Sequence, residues 1–324
     1  MFIPEYQSKN KDRNDRPQNY YSNLRLVISG TCFEFYEFSE PIMYGKRLRQ
    51  RHRQDENEEE LEALVVPDNA MSEEDKILSS ARRAKRGVSR LVRSNAWQWF
   101  DVNNKPYLPI TLTLTFADSI KDVAVANSLF SDFIQRLNYS VNLIERKYDQ
   151  QKAKKNLLKY SAVIEFQDEN RGGVVHYHMI FYNLPKMTKI YDRLTKIWGK
   201  GYFWVGIKTK NRQQKGFNCI NNNKKLEKTI EYFTKYITKS FNDSRLKSKK
   251  KYFNSRELIK PLELEVEELI DLIKKHMPQE ALSYGAENLV YKYKQREKSF
   301  NYQRFDLADY PEALTEAMRL ANLY

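Results

Sequence analysis

Cysteine and histidine are scarce in this chain of 324 residues, which has two of the first and four of the second. Cys32 and Cys219 stand far apart. That excludes a CxxC redox motif, a disulfide framework and a cysteine zinc site, and it fits a reducing cytosol. No apolar run reaches the ~18 residues that a membrane helix needs. The opening MFIPEYQSKNKDR does not read as a signal peptide, and no lipidation motif is visible, so the expectation is a cytoplasmic protein with no membrane partner. No GxxxxGK[ST] loop occurs, so no ATPase motor is legible. Internal repeats and low-complexity tracts are missing too. The excess is in positive charge and aromatic rings: a formal net charge of +14, with 22 Tyr and 17 Phe. The charge suits a polyanion. The hydrophobic content of 41% supports one real core, or two.

Along the chain, residues 1–70 read as a polar arm with a possible strand from Leu24 to Phe38. The acidic run Asp55–Glu62 reads as a solvated segment. Residues 71–105 are a basic helical segment, with Ile77, Leu78, Ala81, Val88 and Leu91 as its anchors. Arg82, Arg83, Lys85, Arg86 and Arg90 crowd this helix and are candidate contacts for DNA phosphates. Residues 106–245 have the clearest rhythm. Pro109 to Phe116 alternates apolar residues with threonine, the pattern of a half-buried strand. Asp118 is a candidate N-cap for a helix with apolar residues at Val123, Ala126, Phe130, Phe133, Ile134, Leu137 and Val141. Lys159–Gln167 is a second strand, and a turn at residues 168–173 returns the chain as a third. A helix at about Lys186–Trp198, a strand at Tyr202–Lys208 and a helix over 222–241 follow. The order β-α-β-β-α-β predicts an α+β fold of the split βαβ kind, an antiparallel sheet with helices on one face and the other face open. The basic run Arg245–Lys251 reads as a linker. The stretch 246–324 is expected to be a mainly helical extension, with an amphipathic helix over 262–276.

On the third strand, His176 and His178 sit two residues apart and share one face with Val174, Ile180 and Tyr182. Val175, Tyr177, Met179 and Phe181 form the opposite, core-seeking row. Two imidazoles on one sheet face are half a metal site. Centring the turn near Asn170–Arg171 sets Glu165 across from His176 and makes it the carboxylate that faces both rings. Gln167 takes that place if the register slips by two, and Asp168 and Glu169 in the turn are further options. Two imidazoles and a carboxylate suit a divalent ion that must still hold a substrate oxygen. Mg2+ or Mn2+ is favoured if that oxygen belongs to a phosphodiester.

The helix that follows repeats Tyr-apolar-Thr-Lys over Tyr232–Lys239. Tyr232 and Tyr236 are neighbours at i and i+4, about a quarter-turn from the apolar stripe Leu226, Ile230, Phe233, Ile237 and Phe241. Lys235 and Lys239 lie further round. A phenol is a weak nucleophile while protonated. A nearby cation and a metal-polarised phosphate both ease its attack.

Leu112–Phe116, His176-Tyr177-His178 and Tyr232–Tyr236, in that order, resemble the motifs of HUH endonucleases. The closer resemblance is to two-tyrosine rolling-circle replication initiator (Rep) proteins of small phages and plasmids. Val163–Gln167, Phe133–Leu137 and Ser255–Pro261 extend the likeness to about residues 80–262. The resemblance implies that His176 and His178, with Glu165, bind a divalent metal. Tyr232 or Tyr236 attacks single-stranded origin DNA, leaving a 5′-phosphotyrosine and a free 3′-hydroxyl, while Lys235 and Lys239 steady the charge. Arg171 in the hairpin turn joins the DNA contacts. A host helicase and polymerase in the bacterial cytoplasm are the implied partners. Competing readings are a relaxase, whose tyrosine usually precedes the histidines, a transposase, which usually adds a cysteine zinc finger, and a non-catalytic RRM-like nucleic-acid-binding module.

Overall fold

The computed structural model describes residues 19–45, 72–101, 103–145, 158–185, 190–206, 219–293 and 296–322. The arm up to residue 18, the acidic run 55–62 and the predicted ends at 186–189 and 207–208 lie outside the described residues. In chain order the elements begin with strands β1 (Asn19–Ser29) and β2 (Cys32–Gly45), helix α1 (Glu73–Asn95), strand β3 (Ile110–Phe116), helix α2 (Val123–Glu145) and strands β4 (Tyr160–Gln167) and β5 (Val174–Phe181). Helix α3 (Ile190–Trp198), strand β6 (Gly201–Val205), helix α4 (Asn223–Asn242) and strands β7 (Tyr252–Asn254) and β8 (Leu262–Leu264) come next. Helix α5 (Glu267–Lys275), strands β9 (Leu282–Tyr293) and β10 (Arg296–Asp306) and helix α6 (Pro311–Asn322) complete the series. The chain is α+β and divides into two units, one drawn from residues up to Lys76 and from Pro261 onward, the other Ile77–Lys260.

In the second unit five antiparallel strands lie in the order β6-β3-β5-β4-β7. The expected β-α-β-β-α-β succession is present as β3-α2-β4-β5-α3-β6. Strict alternation drives it. Ile110, Leu112, Leu114 and Phe116 of β3 and Val175, Tyr177, Met179 and Phe181 of β5 point to one face. There they meet the predicted stripe of α2 (Val123, Ala126, Phe130, Phe133, Leu137) and Leu194 and Trp198 of α3. Each such buried side chain contributes about 1.5–3 kcal/mol.

The opposite face is not open along its length. Ala84, Val88 and Val92 of α1 and Leu226, Ile230, Phe233 and Ile237 of α4 bury a second core against Val163, Ile180 and Tyr182. The apolar stripes of two amphipathic helices need a surface, and this half of the sheet supplies it. A bidentate pair, Arg93 with Glu227 (2.7 and 2.6 Å), ties α1 to α4. Ile77 and Leu78, expected as anchors of α1, are exposed; the buried phase runs through Ala81, Ala84, Val88 and Val92 instead.

Several local expectations need correction. Asp122, not Asp118, caps α2, its carboxylate accepting from the backbone N–H of Ala124 and Val125. The run 245–251 is no plain linker: Ser244–Leu246 forms a 3-10 turn and Tyr252–Asn254 adds β7 beside β4. The expected helix over 262–276 is a short strand, β8, followed by α5. The extensions expected to be helical carry long strands. Leu24–Phe38 is a hairpin turning at Gly30-Thr31, where Gly30 takes φ 59°. β1 and β2 join β8, β9 and β10 in a second sheet, ordered β8-β1-β2-β10-β9. Leu26, Ile28, Phe33 and Phe35 on one face of it pack against α5 and α6. β9 and β10 escaped the sequence reading because aromatic and charged residues are interleaved there without a clean period.

Candidate functional site: an imidazole pair beneath two phenols

The register of β6, β3, β5 and β4 builds two rungs across the sheet. In one, Tyr202, Thr115, His176 and Glu165 stand side by side. In the other, Trp204, Thr113, His178 and Val163 do. Directly opposed residues in antiparallel strands share a face, so both histidines, both threonines and Glu165 project together. The predicted pairing of Glu165 with His176 is the observed one. The turn that sets it is a single helical turn, Asp168–Arg171, followed by Gly172 and Gly173 at φ 57° and 88°.

Both imidazoles are nearly enclosed, His176 3% and His178 6% exposed. The Thr113 hydroxyl lies 3.1 Å from His178 Nδ1, and Thr115 lies 3.5 Å from His176 Nδ1. The other ring nitrogen of His178, Nε2, lies 2.8 Å from Glu165 Oε2. Glu165 Oε1 accepts from Lys239 Nζ at 3.0 Å. Burial works to raise the Glu165 carboxyl, but its bonds to His178 and Lys239 outweigh that and hold it below the ordinary carboxylate range. The same contact with Glu165 raises the Lys239 ammonium. Glu165 is therefore an anion and Lys239 a cation at neutral pH.

Both tyrosines of α4 meet this cluster. The Tyr236 ring stacks on the His178 ring with centroids 3.8 Å apart and planes 13° apart. Tyr232 stands edge-on to both, 5.8 Å from His178 and 4.9 Å from Tyr236. Burial raises both phenols above their ordinary range. The hydrogen bond between their hydroxyls lowers Tyr232 and raises Tyr236 further, so Tyr236 donates and Tyr232 accepts. Lys239 stands 5.7 Å from the Tyr236 ring centroid. Asn222 starts α4 by accepting from the Lys225 N–H at 2.9 Å, and the stripe through Phe233 and Ile237 fixes which side of the helix meets the sheet.

The donor set bears on whether a divalent ion fits. Among the described residues, no three His, Cys, Asp or Glu side chains are grouped closely enough to hold a metal as they stand. The His178–Glu165 pair nevertheless has the right spacing. Two ligands about 2.0–2.2 Å from one ion and at right angles lie about 3 Å apart, close to the 2.8 Å seen here. Thr113 holds Nδ1 of His178 and aims Nε2 at the carboxylate, the outer-shell arrangement that orients a ligating imidazole. The residues fit a hard divalent cation in chemistry and pairwise spacing, with His176 as the third donor on the same face.

Other expected residues fall elsewhere. Lys235 is exposed on α4. Arg171 donates to the carbonyls of Phe116 and, at 2.7 Å, Ala117, so it staples the hairpin turn to the end of β3. Asp168 pairs with Arg245 and Glu169 is exposed, while Gln167 stands opposite Val174 at the end of β4. Arg82, Arg83, Lys85 and Arg86 are exposed on α1 and Arg90 is half-buried. The sequence reading missed Thr113 and Thr115 as imidazole partners, although their alternation placed them on the histidine face. It also missed Arg245, which lies 3.8 Å from the Phe166 ring centroid and bridges Asp168 and Asp243.

Residues 109–241 match a family model for replication-associated proteins of the ORF2 type. That span opens at β3 and closes inside α4, so it contains Glu165, both histidines and both tyrosines. No curated protein matches the chain, and no solved structure does. Among the described residues, no helix is long and apolar enough to cross a membrane. The family match supports a replication-associated protein.

Proposed function

We propose that this protein is a replication initiator that nicks single-stranded origin DNA through a tyrosine nucleophile and rejoins ends by the reverse transfer. The single observation behind this reading is the stack of Tyr236 on His178, with Tyr232 hydrogen-bonded beside it. Two phenols and the imidazole–carboxylate pair thus converge where one phosphate can meet them all. In the reaction the phenol oxygen bonds to phosphorus and the bond from phosphorus to the 3′-oxygen breaks. The proton lost by the phenol balances the one gained by the leaving 3′-hydroxyl. The product is a 5′-phosphotyrosine, which keeps the bond energy for rejoining, and a 3′-hydroxyl that primes a host polymerase with a host helicase ahead of it.

The protein's groups divide this work. Tyr236 donates its hydrogen bond to Tyr232, which makes Tyr232 the easier phenol to ionise and the first nucleophile. Lys239 is placed to offset charge on the phosphorane. Thr113 and Glu165 hold the His178 ring in one tautomer. His176, His178 and Glu165 would hold Mg2+ or Mn2+, which when bound polarises a non-bridging phosphate oxygen. A second reading, binding without cleavage, draws on the fact that both nitrogens of His178 already have protein partners.

The two readings separate in one experiment. End-labelled single-stranded DNA carrying the element's origin is incubated with the protein and Mn2+, then run on a denaturing gel. The expected result is a covalent adduct on the wild type and none on the Tyr232→Phe/Tyr236→Phe variant, with the label on the Tyr232 peptide by mass spectrometry. An adduct that survives in the double variant excludes both phenols, and binding with no adduct favours the second reading.

A further inference from the structure

The geometry points to a base-stacking platform for single-stranded DNA, formed by Tyr202 and Trp204 of β6 and continuous with the tyrosine–histidine site. The inference rests on the reading of that site as one that takes single-stranded DNA. It names a second set of contacts, away from the reacting atoms.

Strand β6 divides its side chains cleanly. Phe203 and Val205 turn inward to the core beneath α2 and α3, and Phe203 stacks on Tyr191 with centroids 5.9 Å apart. Tyr202 and Trp204 turn the other way. They pair directly with Thr115 and Thr113, which in turn pair with His176 and His178. The two exposed aromatics therefore occupy the same two rungs, and the same face, as the imidazoles. Tyr202 is 71% exposed and Trp204 36%. Single exposed apolar residues need no explanation; two large rings adjacent on one face, aligned with a reactive site, are a different arrangement.

The packing shows where a ligand can lie. Helices α1 and α4 cover the β4 and β5 side of this face through Val163, Ile180 and Tyr182. Thr113 and Thr115 on β3 are only half-buried, and beyond them the rings of β6 stand in solvent. From the imidazoles to β6 is two strand spacings, roughly 9.5 Å. A nucleic-acid strand crosses that in about three nucleotides at the stacked rise of roughly 3.4 Å, and in fewer when stretched. A strand with its scissile phosphate under the phenols therefore carries neighbouring bases onto Tyr202 and Trp204. Aromatic rings bind bases through their π-faces with little sequence preference, whereas a paired duplex keeps its base faces inside the stack. Exposed Lys200, just before β6, and the net charge of +14 favour the polyanion over an apolar partner.

The test uses the full chain in the Tyr232→Phe/Tyr236→Phe background without added metal, so that cleavage plays no part. The probe is a fluorescein-labelled oligonucleotide of mixed sequence, single-stranded or annealed to its complement, read by anisotropy. Replacing both rings by alanine is expected to weaken single-strand binding by at least roughly 20-fold, since one stack lost costs about 5- to 150-fold. Duplex binding and the slope of log K against log salt should stay unchanged, because no phosphate contact is removed. The Tyr202→Phe/Trp204→Phe pair should bind like the parent and the Tyr202→Leu/Trp204→Leu pair should not. If the alanine variant misfolds by circular dichroism, the comparison of the Phe and Leu pairs decides alone. Single-strand affinity within twofold of the parent, equal loss on duplex, equal binding by the Phe and Leu pairs, or a changed oligomeric state with unchanged affinity overturns the platform. Failure of the nuclease reading shows separately, as no adduct on the wild-type protein.

Discussion

At the scale of single residues, the site depends on how one imidazole is held. His178 has Thr113 at 3.1 Å on Nδ1 and Glu165 at 2.8 Å on Nε2, with the Tyr236 ring laid flat against it. Removing the Thr113 hydroxyl while keeping its shape, as Thr113→Val, frees the ring to rotate and removes the preference for one tautomer. Losing such outer-shell partners elsewhere costs about 10- to 100-fold in activity or metal affinity. Initial rates of adduct formation should fall by that order in Thr113→Val and recover in Thr113→Ser; equal rates in all three would leave the hydroxyl without a role. Much of this was legible in the sequence. Period-two alternation placed His176, His178, Thr113 and Thr115 on one face, and the turn gave the Glu165–His176 register. What alternation could not give is which atoms meet. Glu165 sits across from His176 yet bonds diagonally to His178, because side-chain length and the approach of Lys239, not register, choose the partner. Arg171 shows the opposite failure. A cation in a turn beside a phosphate site reads as a DNA contact, but two nearby carbonyls claim it.

Elements are positioned by two devices that sequence periodicity does not reveal. One is Arg245, which joins Asp243 at the end of the tyrosine helix to Asp168 in the histidine hairpin's turn. Its guanidinium holds both carboxyls below the ordinary range. Groups whose folded pKa is depressed stabilise the fold above their unfolded pKa, about 3.9, and the contribution disappears as pH falls through the folded values. The melting temperature of Arg245→Gln should thus lie below wild type at pH 7, and the gap should narrow below about pH 4. A remainder from lost stacking on Phe166 should persist at every pH. Both groups are partly solvated, so the effect is modest. A gap that does not change with pH would mean that the ion pairs contribute nothing. The second device is Gly201, which opens β6 at φ 147°. A Cβ there would collide with the backbone of Thr115, Phe116 and Ala117. Gly201→Ala should cost at least about 2–3 kcal/mol in chemical denaturation or push β6 off the sheet. The helices and strands around these devices were readable where one period ran unbroken, as in α2, β3 and α4. The C-terminal strands were not, because their partners, β1 and β2, lie more than 200 residues away in sequence, and pairing of that range leaves no local trace.

Across the whole molecule, charge decides how a nucleic acid is met before any side chain reads it. A net charge of +14 raises the association rate and the non-specific affinity for a polyanion, and both fall with salt. Helix α1 is the clearest cationic surface in the second unit. Its apolar side is spent on Ala84, Val88 and Val92, while Arg82, Arg83, Lys85 and Arg86 face solvent. None of these four is needed to hold the fold by any contact seen among the described residues, so they can be neutralised without disturbing the site. For a single strand each phosphate neutralised adds about 0.7 to the magnitude of the slope of log K against log salt. If all four contact phosphates, the Arg82→Gln/Arg83→Gln/Lys85→Gln/Arg86→Gln variant should lose up to roughly 2.8 from that slope. Titrations from low to moderate salt measure this directly, with the Tyr202→Ala/Trp204→Ala variant as the control that should lose affinity at constant slope. A slope unchanged by the four substitutions would place α1 off the DNA path, and the cations that hold the strand would then have to be sought near Lys239 and Lys200. A reduced slope with adduct formation restored at low salt would make α1 a collector of DNA that leaves the chemistry to the site between β5 and α4.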